Sequence, residues 1–206
     1  MKIGIVGSGA MGSGIAQVLA TAGNQVLLYD SNPTAVEKAG QNLEAQFQKL
    51  AEKGKLTYKE AETYFDNIRL SDKLTELKDS ELIIEAIIED LEIKKKLFQK
   101  LESLVSEECI LATNASSLSI ASIASACQKP NRVIGIHFFN PAPLMALVEM
   151  IPAVQTDKDL ISKTKTLVES WKKLPVIAKD TPGFIVNRVA RPFYGEAIRI
   201  LEEGIA

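Results

Sequence analysis

The strongest structural signal in this 206-residue chain is Ile3-Gly4-Ile5-Val6-Gly7-Ser8-Gly9-Ala10-Met11-Gly12. Its apolar start predicts a buried strand, and the glycines predict a tight turn into a helix. Gly7 suits the turn, Gly9 lets the backbone approach a pyrophosphate, and Gly12 lets the helix pack on the strand. The helix opening at Ala10 and Met11 offers free N–H groups and partial positive charge to phosphates. These residues form a candidate dinucleotide site.

Beyond this turn, short apolar runs alternate with helical periodicity, which is typical of βαβ units and a mostly parallel sheet. We predict strands near 2–6, 25–30, 67–70, 81–88, 109–113, 132–138, 146–151 and 175–179, and helices near 10–22, 33–53, 57–66, 91–105, 118–126, 157–173 and 185–203. The fold class is therefore α/β, a Rossmann-type, doubly wound, mostly parallel sheet. Residues 33–66 form a helical-hairpin insertion, which we expect to project from the sheet as an arm.

Asp30 ends the second predicted strand, where dinucleotide-binding units carry the acidic residue that accompanies the glycine turn. Its carboxylate can accept both ribose hydroxyls and would repel a 2′-phosphate. The following Ser31-Asn32-Pro33 supplies no arginine for such a phosphate. The sequence therefore predicts NAD as the cofactor and disfavours NADP.

A proline–glycine break at Lys179-Asp180-Thr181-Pro182-Gly183 predicts a domain boundary. We assign 1–182 to the NAD-binding domain and 183–206 to the first helix of an all-α C-terminal domain. That helix carries an apolar stripe at Ile185, Val189, Phe193, Ala197, Ile200 and Leu201. Without further helices to cover the stripe, we expect it to fold back on the sheet or to pair with a second copy. We also expect the chain to bind NAD but to turn over slowly by itself.

Composition excludes several classes of function. The chain holds 24 Lys+Arg against 26 Asp+Glu, a formal charge of −2, which favours neither nucleic acid nor a membrane surface as partner. No run reaches the ~18 apolar residues of a membrane-spanning helix. Cys109 and Cys127 form no CxxC pair, so we expect no disulfide framework, no metal site, and a reducing cytoplasm.

Polar residues follow five predicted strands at the edge where ligands of open α/β sheets bind. Besides Gly7 and Asp30 they comprise Glu89 with Asp90, Asn114 with Ser116 and Ser117, and His137 with Asn140. His137 is the only histidine, and histidine suits proton transfer near neutral pH. Glu149 interrupts an apolar strand, where a carboxylate is costly unless paired. We predict a His137–Glu149 dyad; the alternatives are a core histidine and an outward-facing glutamate.

The order and identity of four motifs resemble the 3-hydroxyacyl-CoA dehydrogenase family across the whole chain. The motifs are Gly7 to Gln17, Asn114-Ala115-Ser116-Ser117-Leu118, His137-Phe138-Phe139-Asn140-Pro141, and Asp180 to Arg188. The resemblance implies oxidation of L-3-hydroxyacyl-CoA to 3-ketoacyl-CoA, or the reverse, and a homodimer formed through the helical domain. It implies a catalytic set of His137, Glu149, Ser116 and Asn187. It implies cofactor contacts at Asp30, Glu89, Lys94 and Asn114. Substrate contacts are implied at Ser116, Asn140, Asn187 and Lys53, of which Lys53 would contact CoA. Pro152 departs from the family, in which a lysine near the cofactor is common at this position.

Two other interpretations stay open. The β-hydroxyacid dehydrogenases share the Gly-x-Gly-x-Met-Gly turn, but they use a lysine on the helix after the linker, and Ile185-Val186-Asn187-Arg188 offers none. A non-catalytic NAD-binding protein, like the lens crystallin that resembles this family, is the second alternative. Within the family, Arg188–Ala197 is similar to the branch that acts on 3-hydroxyadipyl-CoA in phenylacetate breakdown.

Overall fold

One eight-stranded sheet organises the chain, whose 206 residues are all described by a computed structural model. The strand order is β3-β2-β1-β4-β5-β6-β7-β8, and only β7 and β8 run against the others. The strands are β1 Lys2–Val6, β2 Gln25–Tyr29, β3 Ile68–Ser71, β4 Leu82–Glu85, β5 Ile110–Thr113, β6 Val133–Phe138, β7 Leu147–Pro152 and β8 Leu174–Ile177. The helices are α1 Ala10–Thr21, α2 Pro33–Glu52, α3 Tyr58–Asp66, α4 Leu91–Leu104, α5 Ile120–Ala124, α6 Lys158–Ser170 and α7 Val186–Glu202. The predicted fold class is confirmed.

The strand order changes direction at β1, which pairs with β2 on one side and β4 on the other. Crevices beyond the carboxyl ends of the strands at such a switch point are the usual ligand sites of open α/β sheets. Strands β1, β4 and β5 are almost wholly buried apolar runs, as a sheet covered on both faces requires. The sheet is therefore a rigid platform, and the loops at its carboxyl edge carry the candidate site.

The helical hairpin of α2 and α3 packs on the sheet and does not project as a free arm. Ala39, Leu43 and Phe47 of α2 belong to the main hydrophobic core. Gly40 lies so close to Leu70 of β3 that a Cβ there would overlap the leucine side chain. Because an amphipathic helix gains most of its stability by burying its apolar face, the hairpin is fixed to the domain. Its polar face remains available to a ligand.

Two predicted elements differ from the structure. Strand β4 ends at Glu85 instead of reaching residue 88, because the Glu85 carboxylate accepts the N–H of Ile87 at 2.7 Å and turns the chain there. Helix α7 does not fold back on the sheet, since none of its residues is buried and Phe193 is 73% exposed. None of the helices combines the length and the apolar character that crossing a membrane requires.

Candidate active site

The glycine turn after β1 is shaped by three different constraints. Gly7 adopts φ +105°, and a Cβ there would lie 2.7 Å from the Ala86 carbonyl oxygen. At Gly12 a Cβ would overlap the Gly7 carbonyl oxygen, so the helix can approach the turn only at a glycine. At Gly9, by contrast, a Cβ would meet no protein atom within 4 Å. The space beside Gly9 is therefore open to a ligand.

The amino end of α1 carries free donors toward that space. The first bond of the helix runs from Ser13 N–H to the Gly9 carbonyl, and no side chain caps the helix. The N–H groups of Ala10, Met11 and Gly12 therefore have no partner within the helix. Backbone donors at a helix start, beside an open glycine, suit a pyrophosphate. The predicted turn residues thus fit the diphosphate of a dinucleotide.

Asp30 lies at the carboxyl end of β2 and holds the glycine turn from the side. Its Oδ2 accepts the backbone N–H of Ser8 at 2.8 Å and the Ser8 hydroxyl at 3.0 Å. Its Oδ1 accepts the N–H of Asn32 at 3.1 Å. The carboxylate stays partly exposed, so its remaining acceptor capacity faces the groove next to the turn.

That groove has a volume of about 1040 Å³ and runs between the glycine turn, α2 and the loop after β6. Gly9 and Asp30 line one part of it, and Lys53 and Asn140 line other parts. Lys53 lies at the carboxyl end of α2, where Lys49 and Lys55 also face the groove. Its wall is thus basic along α2, although the chain carries a net negative charge.

His137 and Glu149 meet directly across two antiparallel strands. They are register partners on β6 and β7, and His137 Nδ1 lies 2.8 Å from Glu149 Oε2. Both side chains are buried, with 7% and 1% of their surface exposed. Glu149 Oε1 accepts the backbone N–H groups of Ile185 and Val186, each at 2.9 Å. The carboxylate is fully satisfied, and it links the histidine to the start of α7.

Two aromatic rings enclose the imidazole. The Phe139 ring centroid is 4.5 Å from that of His137, and the Phe184 centroid is 5.8 Å away with an edge-on arrangement. Phe184 is buried and adopts φ 47°, next to Gly183 at φ 76°. This left-handed pair turns the linker so that the amino end of α7 reaches Glu149.

Ser116 lies on the loop after β5 and is fixed by Glu89. Glu89 Oε1 accepts the N–H groups of Ser116 and Ser117 at 2.7 and 3.0 Å, and both hydroxyls lie within 3.3 Å of it. Burial opposes the charge of Glu89, but donation from Ser116, the nearby Lys94 ammonium and donation from Ser117 together hold its pKa below the usual value. Asn187 of α7 donates its Nδ2 to the Ser116 carbonyl at 3.2 Å.

Lys94 is buried, whereas a side chain that contacts the cofactor directly would have to reach the surface of the site. Its side chain is 1% exposed, and its ammonium lies 2.5 Å from Glu85 Oε1 and 3.5 Å from Glu89 Oε2. Glu85 also accepts the Thr113 hydroxyl at 2.7 Å. The Lys94 ammonium already pairs with two carboxylates. A direct contact between Lys94 and a cofactor stays a prediction.

Sequence reasoning did not single out Glu85 or Thr113. The signal was present, since Glu85 interrupts a buried apolar strand just as Glu149 does. Asn114, the next residue after β5, accepts the N–H of Phe138 at 2.8 Å and so ties β5 to the strand end that bears His137. Hydrogen bonds and an ion pair thus join Lys94, Glu89, Ser116 and Asn187, and Glu149 joins His137 to the start of α7. Asp30, Asn140 and Lys53 lie apart from these groups on the groove.

Comparison with known proteins places this geometry in a family. Residues 2–181 match the family model described as "3-hydroxyacyl-CoA dehydrogenase, NAD binding domain". The chain is 44% identical over 99% of its length to the 3-hydroxyadipyl-CoA dehydrogenase of Escherichia coli K12, of which it covers 43%. It is 42% identical over its whole length to the 3-hydroxybutyryl-CoA dehydrogenase of Clostridioides difficile, of which it covers 73%.

A solved structure gives the same result. The (S)-3-hydroxybutyryl-CoA dehydrogenase of Ralstonia eutropha superposes with a TM-score of 0.95 at 38% identity, covering 100% of this chain and 72% of that one. The chain thus spans between less than half and about three quarters of the length of these relatives. The chain belongs to the 3-hydroxyacyl-CoA dehydrogenase family, whose NAD-binding domain its residues 2–181 match.

Proposed function

We propose that this chain supplies the cofactor-binding and acid/base part of an enzyme that interconverts L-3-hydroxyacyl-CoA and 3-ketoacyl-CoA with NAD. The observation that carries the proposal is the buried His137–Glu149 pair at 2.8 Å. It lies at the carboxyl edge of the sheet, the edge at which open α/β sheets bind their ligands. The relatives are named for adipyl and butyryl substrates, so the proposal commits only to the hydroxyacyl-CoA class.

When bound, NAD⁺ would accept the hydride during oxidation and NADH would supply it during reduction, and the chain's residues handle the proton. Glu149 engages Nδ1 of His137, so the other ring nitrogen, Nε2, is the atom that meets the substrate oxygen. During oxidation the C3–H bond breaks as hydride leaves, and Nε2 takes the hydroxyl proton as the C=O bond forms. During reduction the doubly protonated ring returns that proton to the 3-oxygen. The Glu149 carboxylate stabilises the charge on the ring in both directions.

The neighbouring polar groups hold the substrate. Ser116 and Asn187 are hydrogen-bonded to each other across the site, and we assign both to the oxygen at C3. Asn140, three residues after His137 in the chain, borders the groove, and Lys53 borders it at the end of α2. The basic wall beside Lys53 suits the phosphates of CoA, because lysines attract polyanions without needing a fixed geometry.

The proposal extends to assembly as a homodimer through the helical region that begins with α7. Support comes from the exposed apolar side chains of this helix, Val189, Phe193 and Leu201, each at least two thirds exposed. An exposed apolar patch of this kind marks an interaction surface, and a second copy of the same helix is the partner that we propose. Sedimentation of the full-length protein and of its Phe193→Glu variant tests this point, and an unmutated monomer would contradict it.

The function is tested by turnover of acetoacetyl-CoA with NADH in the full-length protein. We expect His137→Gln to lower kcat by roughly two to four decades, the usual range for general acid–base catalysis. NADH affinity, measured by fluorescence titration, should change little, because the histidine handles the proton and does not hold the cofactor. Glu149→Gln should lower kcat as well. A His137→Gln variant that keeps most of its kcat would contradict the assignment.

A further inference from the structure

We propose that Lys173 is a positioning residue, which fastens the loop between β6 and β7 and so fixes Asn140 on the wall of the groove. This loop joins the two strands that carry the acid/base pair. Lys173 lies outside the loop, on the turn between α6 and β8. Its Nζ donates to the Ala142 carbonyl at 2.6 Å and to the Met145 carbonyl at 2.8 Å. The lysine thus ties two points of the loop to a separate part of the sheet.

Both of these carbonyls depend on the lysine for a donor. The turn within the loop closes on the Pro141 carbonyl, which accepts the N–H groups of Leu144 and Met145 at 3.0 and 3.1 Å. The carbonyls of Ala142 and Met145 accept no backbone N–H. Ala142 belongs to the main hydrophobic core, where a carbonyl without a donor is costly. Burial also lowers the pKa of Lys173 from its ordinary value of 10.5, because the ammonium has lost part of its hydration.

The turn that carries Lys173 is itself held by packing. Trp171, two residues earlier, is buried in the main core and stacks on Phe138 of β6, with ring centroids 6.2 Å apart. The N–H of Leu174, the first residue of β8, donates to the Ala146 carbonyl at 2.8 Å. The lysine therefore extends from a fixed backbone, and its two hydrogen bonds set where the loop lies.

The loop in turn shapes one wall of the groove. Residues 140–144 all border the groove. Ala142 lies against α1, where a Cβ added at Gly14 would be 3.3 Å from the Ala142 Cβ. Asn140 is exposed and its side chain has no hydrogen-bond partner within the protein, so its position is set by its backbone alone. Release of the loop should therefore displace Asn140, to which we assign a substrate contact.

The test is Lys173→Met in the full-length protein, which keeps an unbranched side chain and removes the ammonium. We expect kcat/KM for acetoacetyl-CoA to fall roughly tenfold to a hundredfold, mostly through KM, since a displacement of about 1 Å can cost two decades. NADH affinity should stay within about threefold, because Asp30 holds the glycine turn independently of this loop. The matched control is Lys172→Met, which removes the same charge from the exposed neighbouring residue and should change neither quantity.

A double variant separates positioning of Asn140 from a general loss of stability. Asn140→Ala removes the group that Lys173 is proposed to place. In that background Lys173→Met should lower kcat/KM much less than in the unmutated protein, because residues that act through one another are not additive. Equal losses in the two backgrounds would overturn the proposal. It would also be overturned if Lys173→Met lowers the melting temperature but leaves kcat/KM within about threefold of the unmutated value.

This inference rests on the proposed function for the identity of the ligand in the groove. The affinity for acetoacetyl-CoA, measured by calorimetry with NAD⁺ present, is a readout that needs no turnover. A protein that binds the thioester without reducing it would contradict the proposed reaction alone, and the affinities of Lys173→Met and Lys172→Met would still decide the role of Lys173. Equal affinities of these two variants, with turnover intact, would contradict the inference alone.

Discussion

Alanine substitution at two glycines of the same turn should separate cofactor binding from folding. At Gly9 a Cβ meets no protein atom within 4 Å, and the backbone, at φ −64° and ψ −174°, is one that alanine adopts freely. Reduced entropy of the unfolded chain stabilises Gly9→Ala by about 0.4–1 kcal/mol. Loss of a favourable N-cap glycine costs a similar amount. The melting temperature should therefore stay within about 4 °C of the unmutated value.

The added methyl at Gly9 instead enters the space where we place the pyrophosphate. Displacing one charge-assisted hydrogen bond costs about 1.5–3 kcal/mol, so NADH should bind at least roughly tenfold more weakly. Gly12→Ala should act on folding instead, because its Cβ would overlap the Gly7 carbonyl oxygen. Overpacking of this kind costs about 1–3 kcal/mol. Its melting temperature should fall by several degrees.

Fluorescence titration with NADH and thermal unfolding monitored by circular dichroism measure the two effects. Gly195→Ala is the matched control, since this glycine lies on α7 and its Cβ would also meet no atom within 4 Å. It should change neither NADH affinity nor the fold. If Gly9→Ala binds NADH within threefold of the unmutated chain, the pyrophosphate does not lie beside Gly9 and our account of the turn is refuted.

Three further predictions concern single groups. Asp30→Ala should narrow the preference for NADH over NADPH, and equal affinity of the unmutated chain for both would contradict the role of this carboxylate. Burial raises the pKa of Cys109 to about 12 and that of Cys127 to about 11, so a thiol reagent at pH 8 should label them only after unfolding, and rapid labelling of the native chain would be contrary evidence. Burial raises the pKa of Glu89, but the Ser116, Lys94 and Ser117 donors outweigh it and lower this pKa in the folded state. The charged Glu89 therefore stabilises the fold at pH values above the ordinary pKa of 4.5, and this contribution is lost as the pH falls through the folded-state pKa. Urea unfolding should show Glu89→Gln less stable than the unmutated chain at pH 7, with a gap that closes in acid; a gap independent of pH would be inconsistent with this.

Local sequence patterns were sufficient for the fold and the cofactor. The glycine turn, Asp30 and the alternation of strands with helices predict a Rossmann-type sheet and NAD, and the family model confirms both. These features can be predicted from the sequence because each depends on a few consecutive residues. A glycine that must adopt φ +105°, as Gly7 does, leaves a direct mark on the sequence. The predicted boundaries at Val6 and Ala10 agree with the structure, and β2 ends at Tyr29, one residue before the predicted end.

What the sequence did not reveal depends on contacts between distant segments. Lys94 has the pattern of a solvated helix lysine, yet it is buried because Glu85, nine residues earlier, lies under α4. The apolar run of β4 continues past Glu85, but the side chain of that residue captures the Ile87 N–H and ends the strand. The hairpin of α2 and α3 has enough charge to suggest a free arm. The burial of Ala39, Leu43 and Phe47 in the core, together with the packing of Gly40 against Leu70, fixes it to the sheet.

Glu149 joins the acid/base pair to the linker that follows the sheet. One of its oxygens binds His137, and the other accepts two N–H groups at the start of α7. These donors reach it because Gly183 and Phe184 both adopt positive φ. Any displacement of α7 would remove two hydrogen-bond donors from the carboxylate. Its negative charge would then interact more strongly with the imidazole. The position of the first helix after the sheet is therefore coupled to the electrostatic environment of His137, through one side chain that both share.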